Sequence, residues 1–202
     1  MALNFANNNS LSAITSLPAS ISNGALTLLQ TQTASSSATI DFTSNIDSTY
    51  DAYMFKFYDI HPATDGAELQ FNMSTDAGSN YNVTKTTTFF QAYHTESGSA
   101  SGLLYVSTTY DLAQSTGNAY LARETGNDND QSVVGTLTVY NPSSSVFVKH
   151  FIATTNTAED YNYVITNYTA GYGNTTNPVD AIRFLMSSGN IDSGVIKLYG
   201  IS

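Results

Sequence analysis

Ala52–Ser74, AYMFKFYDIHPATDGAELQFNMS, contains two segments of period-two alternation on either side of HPATDG. Successive side chains of a strand leave opposite faces, so this period means pleated strands rather than a helix. In the first segment Tyr53, Phe55 and Phe57 share one face, and Ala52, Met54, Lys56, Tyr58 and Ile60 the other. Both faces are largely apolar, which predicts a strand inside a sheet. In the second segment Ala67, Leu69, Phe71 and Met73 point inward, with Glu68, Gln70, Asn72 and Ser74 on a wet face. Burying those four apolar side chains contributes at most roughly 6–12 kcal/mol. Asp65-Gly66 offers the positive φ of a tight turn and Pro62 fixes the approach to it, so the stretch predicts a hairpin.

Around that stretch, the composition bounds the class. A chain of 202 residues with 41% hydrophobic content is long enough for one well-buried domain. Charge is scarce: six Lys and Arg stand against sixteen Asp and Glu, a net charge of −10. Phosphates would be repelled, which argues against a nucleic-acid partner. Without cysteine, disulfides and thiolate metal sites are excluded. No apolar run reaches the ~18 residues of a membrane span, so no membrane insertion is expected. The first basic residue is Lys56, so no secretory signal is expected at the N-terminus. Any export would then go by another route, such as lysis or assembly into a particle.

The chain divides into an N-terminal arm, residues 1–24, and a β-sandwich domain, residues 25–202. The arm scatters Leu3, Phe5, Leu11, Ile14, Leu17 and Ile21 among Asn, Ser and Ala, and carries no charge. Such a segment is suited to lying on a neighbouring chain, against the default of a frayed tail. After it come about a dozen alternating segments at turn spacing, including Ala25–Gln32, Ala38–Thr43, Tyr81–His94, Leu103–Tyr110, Val133–Tyr140, Val146–Thr155, Tyr161–Ala170, Ala181–Ser188 and Gly194–Ile201. Gly135 is placed to mark a bulge. With no convincing helix, the pattern is all-β, a single jelly-roll-like antiparallel sandwich. The last strand is apolar almost to its end and is expected to be tied into a sheet.

Catalytic motifs are missing. Gly98–Gly102, GSASG, has Ala100 where a nucleophile elbow needs serine. His61, His94 and His150 have no nearby metal-spaced partner. Asn127-Asp128-Asn129-Asp130 lacks the glycine and glutamate of an EF-hand loop, leaving Asp128 and Asp130 as a weak Ca²⁺ candidate in an otherwise solvated loop. Gly171–Thr176, GYGNTT, lacks a βαβ unit and reads as a turn. Glu159 and Asp160 adjoin, but a glycosidase pair needs a cleft between carboxylates. No catalytic residue and no cofactor is expected. Tyr161, Tyr163, Tyr168 and Tyr172 are candidates for a sugar-stacking platform, although core packing or subunit contact is the commoner use of tyrosine.

Two stretches carry a resemblance. Ile40–Tyr81, IDFTSNIDSTYDAYMFKFYDIHPATDGAELQFNMSTDAGSNY, resembles a segment of marine bacteriophage virion proteins with the signatures IDSTY, PATDG and STDGGSNY. Met186–Ser202, MSSGNIDSGVIKLYGIS, resembles their closing strands, which end in a G.I.LYGI-like tail. This chain departs at Ala77, where a second glycine is usual. The resemblance implies a structural protein of the virion, made in the host cytoplasm and assembled into the particle as a head decoration or fibre subunit. Its expected partners are other copies of itself, as a trimer, and other virion proteins, held through the arm. The alternative is a receptor-binding tip that recognises host surface glycan through loops at Ser97–Ser101, Glu124–Asp130 and Tyr172–Asn177, with Tyr172, Asn174 and Asn127 as contacts. A depolymerase is a third, weaker expectation.

Overall fold

The computed structural model describes residues 26–106 and 109–202. The expected arm, with Leu3, Phe5, Leu11, Ile14, Leu17 and Ile21, lies outside the described residues. Among the described residues, twelve strands, all paired antiparallel, account for the fold and no helix occurs. They are β1 (Thr27–Ser37), β2 (Ile40–Phe42), β3 (Ala52–Pro62), β4 (Leu69–Ser74), β5 (Lys85–Thr95) and β6 (Ser101–Tyr105), then β7 (Ala119–Tyr120), β8 (Val133–Tyr140), β9 (Lys149–Ala158), β10 (Tyr163–Gly173), β11 (Ala181–Met186) and β12 (Ile191–Ile201). An eight-stranded sheet has the order β1-β12-β3-β8-β9-β10-β5-β6, and a four-stranded sheet the order β2-β11-β4-β7.

This order is a jelly roll with an extension. Setting aside β5, β6, β9 and β10 leaves eight strands, ordered first-eighth-third-sixth in one sheet and second-seventh-fourth-fifth in the other. That is the double Greek key of the roll. Two excursions widen the first sheet: β5–β6 leaves between β4 and β7, and β9–β10 leaves between β8 and β11. They meet each other where β10 pairs with β5 over eleven positions, from Tyr163 opposite Thr95 to Gly173 opposite Lys85.

Phe184 on β11 is central to the core. Its ring lies 5.1 Å from Phe55, 5.3 Å from Phe57 and 6.0 Å from Phe42, all edge-to-face. Phe71 packs edge-on to Phe151 at 5.0 Å. Such pairs contribute about 0.5–1.5 kcal/mol each beyond the area they bury. β3 lies between β12 and β8, as its two apolar faces predict.

The Ala52–Ser74 stretch is not a hairpin, however. β3 belongs to the large sheet and β4 pairs with β11 and β7 in the small one, so HPATDG is a corner between sheets. Both strands still direct their apolar faces to one core, which a sandwich allows as readily as a hairpin. The expected wet face of β4 is also buried. Asn72 Nδ2 donates to the Thr116 carbonyl (3.1 Å) and to Asn118 Oδ1 (2.9 Å), while Asn118 Nδ2 donates to Gln70 Oε1 (3.2 Å). The segment entering β7 thus covers that face and satisfies its amides. Ile60 is buried rather than outward, because β3 has an extra residue against β8 between Phe57 and Ile60, with Asp59 at φ +49°. The bulge lies opposite Gly135, on the other strand from the one expected. Gly171–Gly173 is likewise strand, not turn. A Cβ on Gly171 would meet the Thr86 carbonyl at 2.4 Å and the Phe151 ring at 3.0 Å, so the glycine serves close packing.

Candidate functional site

Opposite residues of paired strands share a face, so the register defines the outward surface of the eight-stranded sheet. One row runs from Leu28 through Tyr199, Met54, Thr138, Ile152 and Ala170 to Thr88. The next runs from Thr31 through Lys197, Lys56, Thr136, Thr154, Tyr168 and Phe90 to Tyr105. A third crosses the extension from Val134 through Asn156, Thr166 and Ala92 to Leu103. None of these positions is Asp or Glu, in a chain with sixteen of them. Instead Tyr168 stacks on Phe90 at 4.8 Å and 12°, and Ile152, Val134, Leu103 and Tyr105 stand exposed. The two lysines lie over tyrosine rings, Lys56 over Tyr199 at 5.4 Å and Lys197 over Tyr58 at 5.1 Å. The face ends at β6, an exposed edge strand with no charged residue, SGLLY.

The inward face of the extension sets Phe89, Phe151, Ala153 and Ile165 among buried polar side chains. Thr155, Thr157, Asn167, Thr169, Thr87 and Gln91 are all buried there. Asn167 Nδ2 donates to the Thr155 and Thr157 hydroxyls at 3.3 and 3.1 Å, and those of Thr155 and Thr169 donate to the Leu121 and Tyr120 carbonyls. Where the β5–β6 loop, the β9–β10 turn and the segment after β7 converge, this face opens into a cleft of about 630 Å³. Tyr93, Tyr161 and Tyr163 wall it, and Gln91, Arg123, Glu124 and Glu159 supply its polar groups. Arg123 is already engaged: Nη2 donates to Glu124 Oε1 at 2.5 Å and Nε to the Tyr110 hydroxyl at 3.3 Å. Burial, with Glu124 and Asp160 close by, pushes Glu159 up to about 7. Burial and the neighbouring carboxylates of Asp65 and Glu124 also raise Asp160.

Two fully buried lysines sit in cages of neutral oxygen. Lys85 Nζ donates to Asn72 Oδ1 (2.6 Å) and the Val83 carbonyl (2.7 Å), and burial lowers it to about 7. Lys149 donates to the Ser144, Phe147 and Thr175 carbonyls and so pins the loop before β9.

The expected glycan contacts are not brought together. Tyr172 and Asn174 lie at one end of β10, whereas Asn127 lies near the other, a strand length of roughly 30 Å away. Tyr172 packs against His150 on the outward face, and Tyr168 is outward too. Of the four tyrosines proposed as a platform, only Tyr161 and Tyr163 share a site. Ser99 and Ala100 belong to the β5–β6 loop beside the cleft, tied by the Ala100 N–H to the Thr95 hydroxyl. Asp128 sits in a turn closed by Gln131, and Asp130 lines a hollow with Asp59, His61 and Asp192. Among the described residues, no group of three or more His, Cys, Asp or Glu side chains is placed to hold a metal ion. His61 Nδ1 donates to the Gln131 carbonyl at 2.7 Å, a loop-anchoring contact.

The residues behind the phage resemblance build turns and bulges of the roll. Asp47 accepts from the Thr49 N–H and the Tyr53 hydroxyl, Asp76 from Ser74 and Asn80, and Gly194 adopts φ +122° against the β3 bulge. No family model, no curated protein and no solved structure matches the chain.

Proposed function

We propose that the chain is a non-enzymatic structural subunit of a bacteriophage particle surface, a head decoration or fibre component whose copies pack through the outward face of the eight-stranded sheet. The supporting observation is that this face has no carboxylate in its three central rows, although the chain carries a charge of −10. Depletion of charge with enrichment of Tyr, Phe and aliphatic side chains is the composition of an interface core. The uncharged β6 edge adds main-chain groups for a neighbour to cover. Jelly rolls recur in viral capsids, and the motif resemblance falls within the roll; both agree with this reading. Residues 1–24 then attach the subunit to its neighbours in the particle, and the sandwich projects from it.

Sedimentation equilibrium over a range of protein concentrations tests the reading. The expected result is a trimer for the natural chain, and a monomer with unchanged melting for Ile152→Asp, since Ile152 is half exposed and outward. A natural chain that stays monomeric at the highest concentrations, or an Ile152→Asp variant that assembles as well, would overturn it.

A further inference from the structure

The cleft at the far end of the extension is used neither by the roll nor by the outward face. Its most telling residue is Gln91. This side chain is 97% buried, lines the cleft, and its amide oxygen has no hydrogen-bond partner. A buried acceptor left unpaired is costly, and a bound donor removes the cost. Glu159, also almost fully buried, has one carboxylate oxygen taken by the Tyr161 N–H at 2.8 Å and the other beside Glu124. The walls are aromatic: Tyr161 is 74% exposed at the mouth, and Tyr93 and Tyr163 lie 5.9 Å apart behind it. Gly102 makes room for the Tyr93 ring, whose atoms lie 3.1 Å from where a Cβ would stand.

The class of ligand follows from these groups. The buried amide oxygen of Gln91 lacks a partner, so the ligand must bring a hydroxyl or N–H group to it. The one cation, Arg123, is spent on Glu124 and Tyr110, and carboxylates stand beside it, so an anionic ligand is repelled. Flat aromatic walls want a ligand with an apolar face as well as donors. The volume, about 630 Å³, falls in the range of small-molecule clefts and has room for a short oligosaccharide. We propose that this cleft binds neutral saccharide, with tyrosine rings on the sugar faces and Gln91, Glu124 and Glu159 accepting from its hydroxyls. No bond is made or broken in this interaction.

Saturation-transfer NMR on the full chain tests it, with a panel of neutral trisaccharides of glucose, galactose and mannose at millimolar concentration and sialyllactose as the anionic control. At least one neutral trisaccharide should bind saturably and more tightly than sialyllactose. Tyr161→Ala, an exposed position that does not threaten folding, should weaken that binding about three- to tenfold. Gln91→Leu, which replaces the orphaned amide by an apolar group of similar size, should weaken it at least tenfold. Silence from the whole neutral panel overturns the proposal, as does equal or tighter binding of sialyllactose, or binding that neither substitution changes. Sedimentation of the same samples keeps the two proposals apart: a chain that assembles but binds no sugar loses this inference and keeps the structural role.

Discussion

The two halves of the eight-stranded sheet differ in how apolar a face they bury. Under β1, β12, β3 and β8 the inward face is Tyr53, Phe55, Phe57, Leu137, Val139, Ile196 and Leu198, closed by the small sheet. Under β9, β10 and β5 much of it is threonine and amide, while Ile152, Tyr168 and Phe90 face out. One continuous ladder of hydrogen bonds thus carries an apolar buried face in one half and a mixed one in the other. The roll spends its apolar residues on its own core. The extension divides them, burying Phe89, Phe151, Ala153 and Ile165 and leaving Ile152, Tyr168 and Phe90 exposed, with the cleft on its inward side. The motifs on which the sequence resemblance rests, in Ile40–Tyr81 and Met186–Ser202, lie in the roll and outside β5, β6, β9 and β10.

The sharpest way to break that contrast is to truncate one large side chain in each half. Phe184→Ala removes the ring on which Phe42, Phe55 and Phe57 converge and should cost about 3–5 kcal/mol in denaturant unfolding. Ile152→Ala, outward on β9, should stay within about 0.5 kcal/mol for the monomer. Equal losses would mean that the outward face is part of a core after all.

A second test uses pH, because both ends of the extension hold buried ionisable groups, Glu159 at one and Lys85 with Lys149 at the other. Glu159 keeps its proton to about pH 7 when folded, against an ordinary value of 4.5. Between these values the folded chain binds more protons than the unfolded one, so stability falls as pH rises. Lys85 titrates at about 7 when folded, against 10.5. Above neutrality the unfolded chain holds the extra proton, so stability climbs again toward pH 10. Melting followed from pH 5 to 10 should therefore pass through a shallow minimum near 7. Glu159→Gln should flatten the acidic limb, gaining roughly 1–2 kcal/mol at pH 8 once screening at the cleft mouth is allowed for, and little at pH 5. A limb unchanged by this substitution would remove Glu159 as its source.

The smallest effect belongs to the roll. Ala77, where the resemblance leads one to expect glycine, is held at φ +57°. That left-handed conformation is strained for any residue with a Cβ, and Ala77→Gly should gain roughly 0.5–1 kcal/mol. A loss instead would show that the turn is not where strain resides.

Much of the roll was legible because burial imposes period two: Tyr53, Phe55 and Phe57, or Leu69, Phe71 and Met73, announce their face directly. Alternation says which side is dry but not which strand lies alongside, and so β3 and β4 were expected to pair and do not. The polar face of β4 looked wet because its covering amide, Asn118, comes from 46 residues further on. The cleft was hidden for the same reason. Gln91, Glu124 and Glu159 stand on three separate segments; Tyr161 with Tyr163 and two of the loops expected to hold glycan, Ser97–Ser101 and Glu124–Asp130, pointed toward it, whereas the third, Tyr172–Asn177, lies at the far end of β10. The polar part of the extension's inward face did leave a trace, in Thr87, Thr155, Thr157 and Thr169, blurred by the outward Thr86, Thr88, Thr154 and Thr166.

The pairing of β12 between β1 and β3 governs the order of assembly on the ribosome. Thr27 finds its partner at Gly200, and Ala52 at Ile201. At 5–20 residues per second, β1 waits roughly 10–30 s for the strand that will shield its flank. Throughout that interval both borders of the unfilled gap stay open to any passing polypeptide, so crowded synthesis is where this chain is most exposed to mispairing.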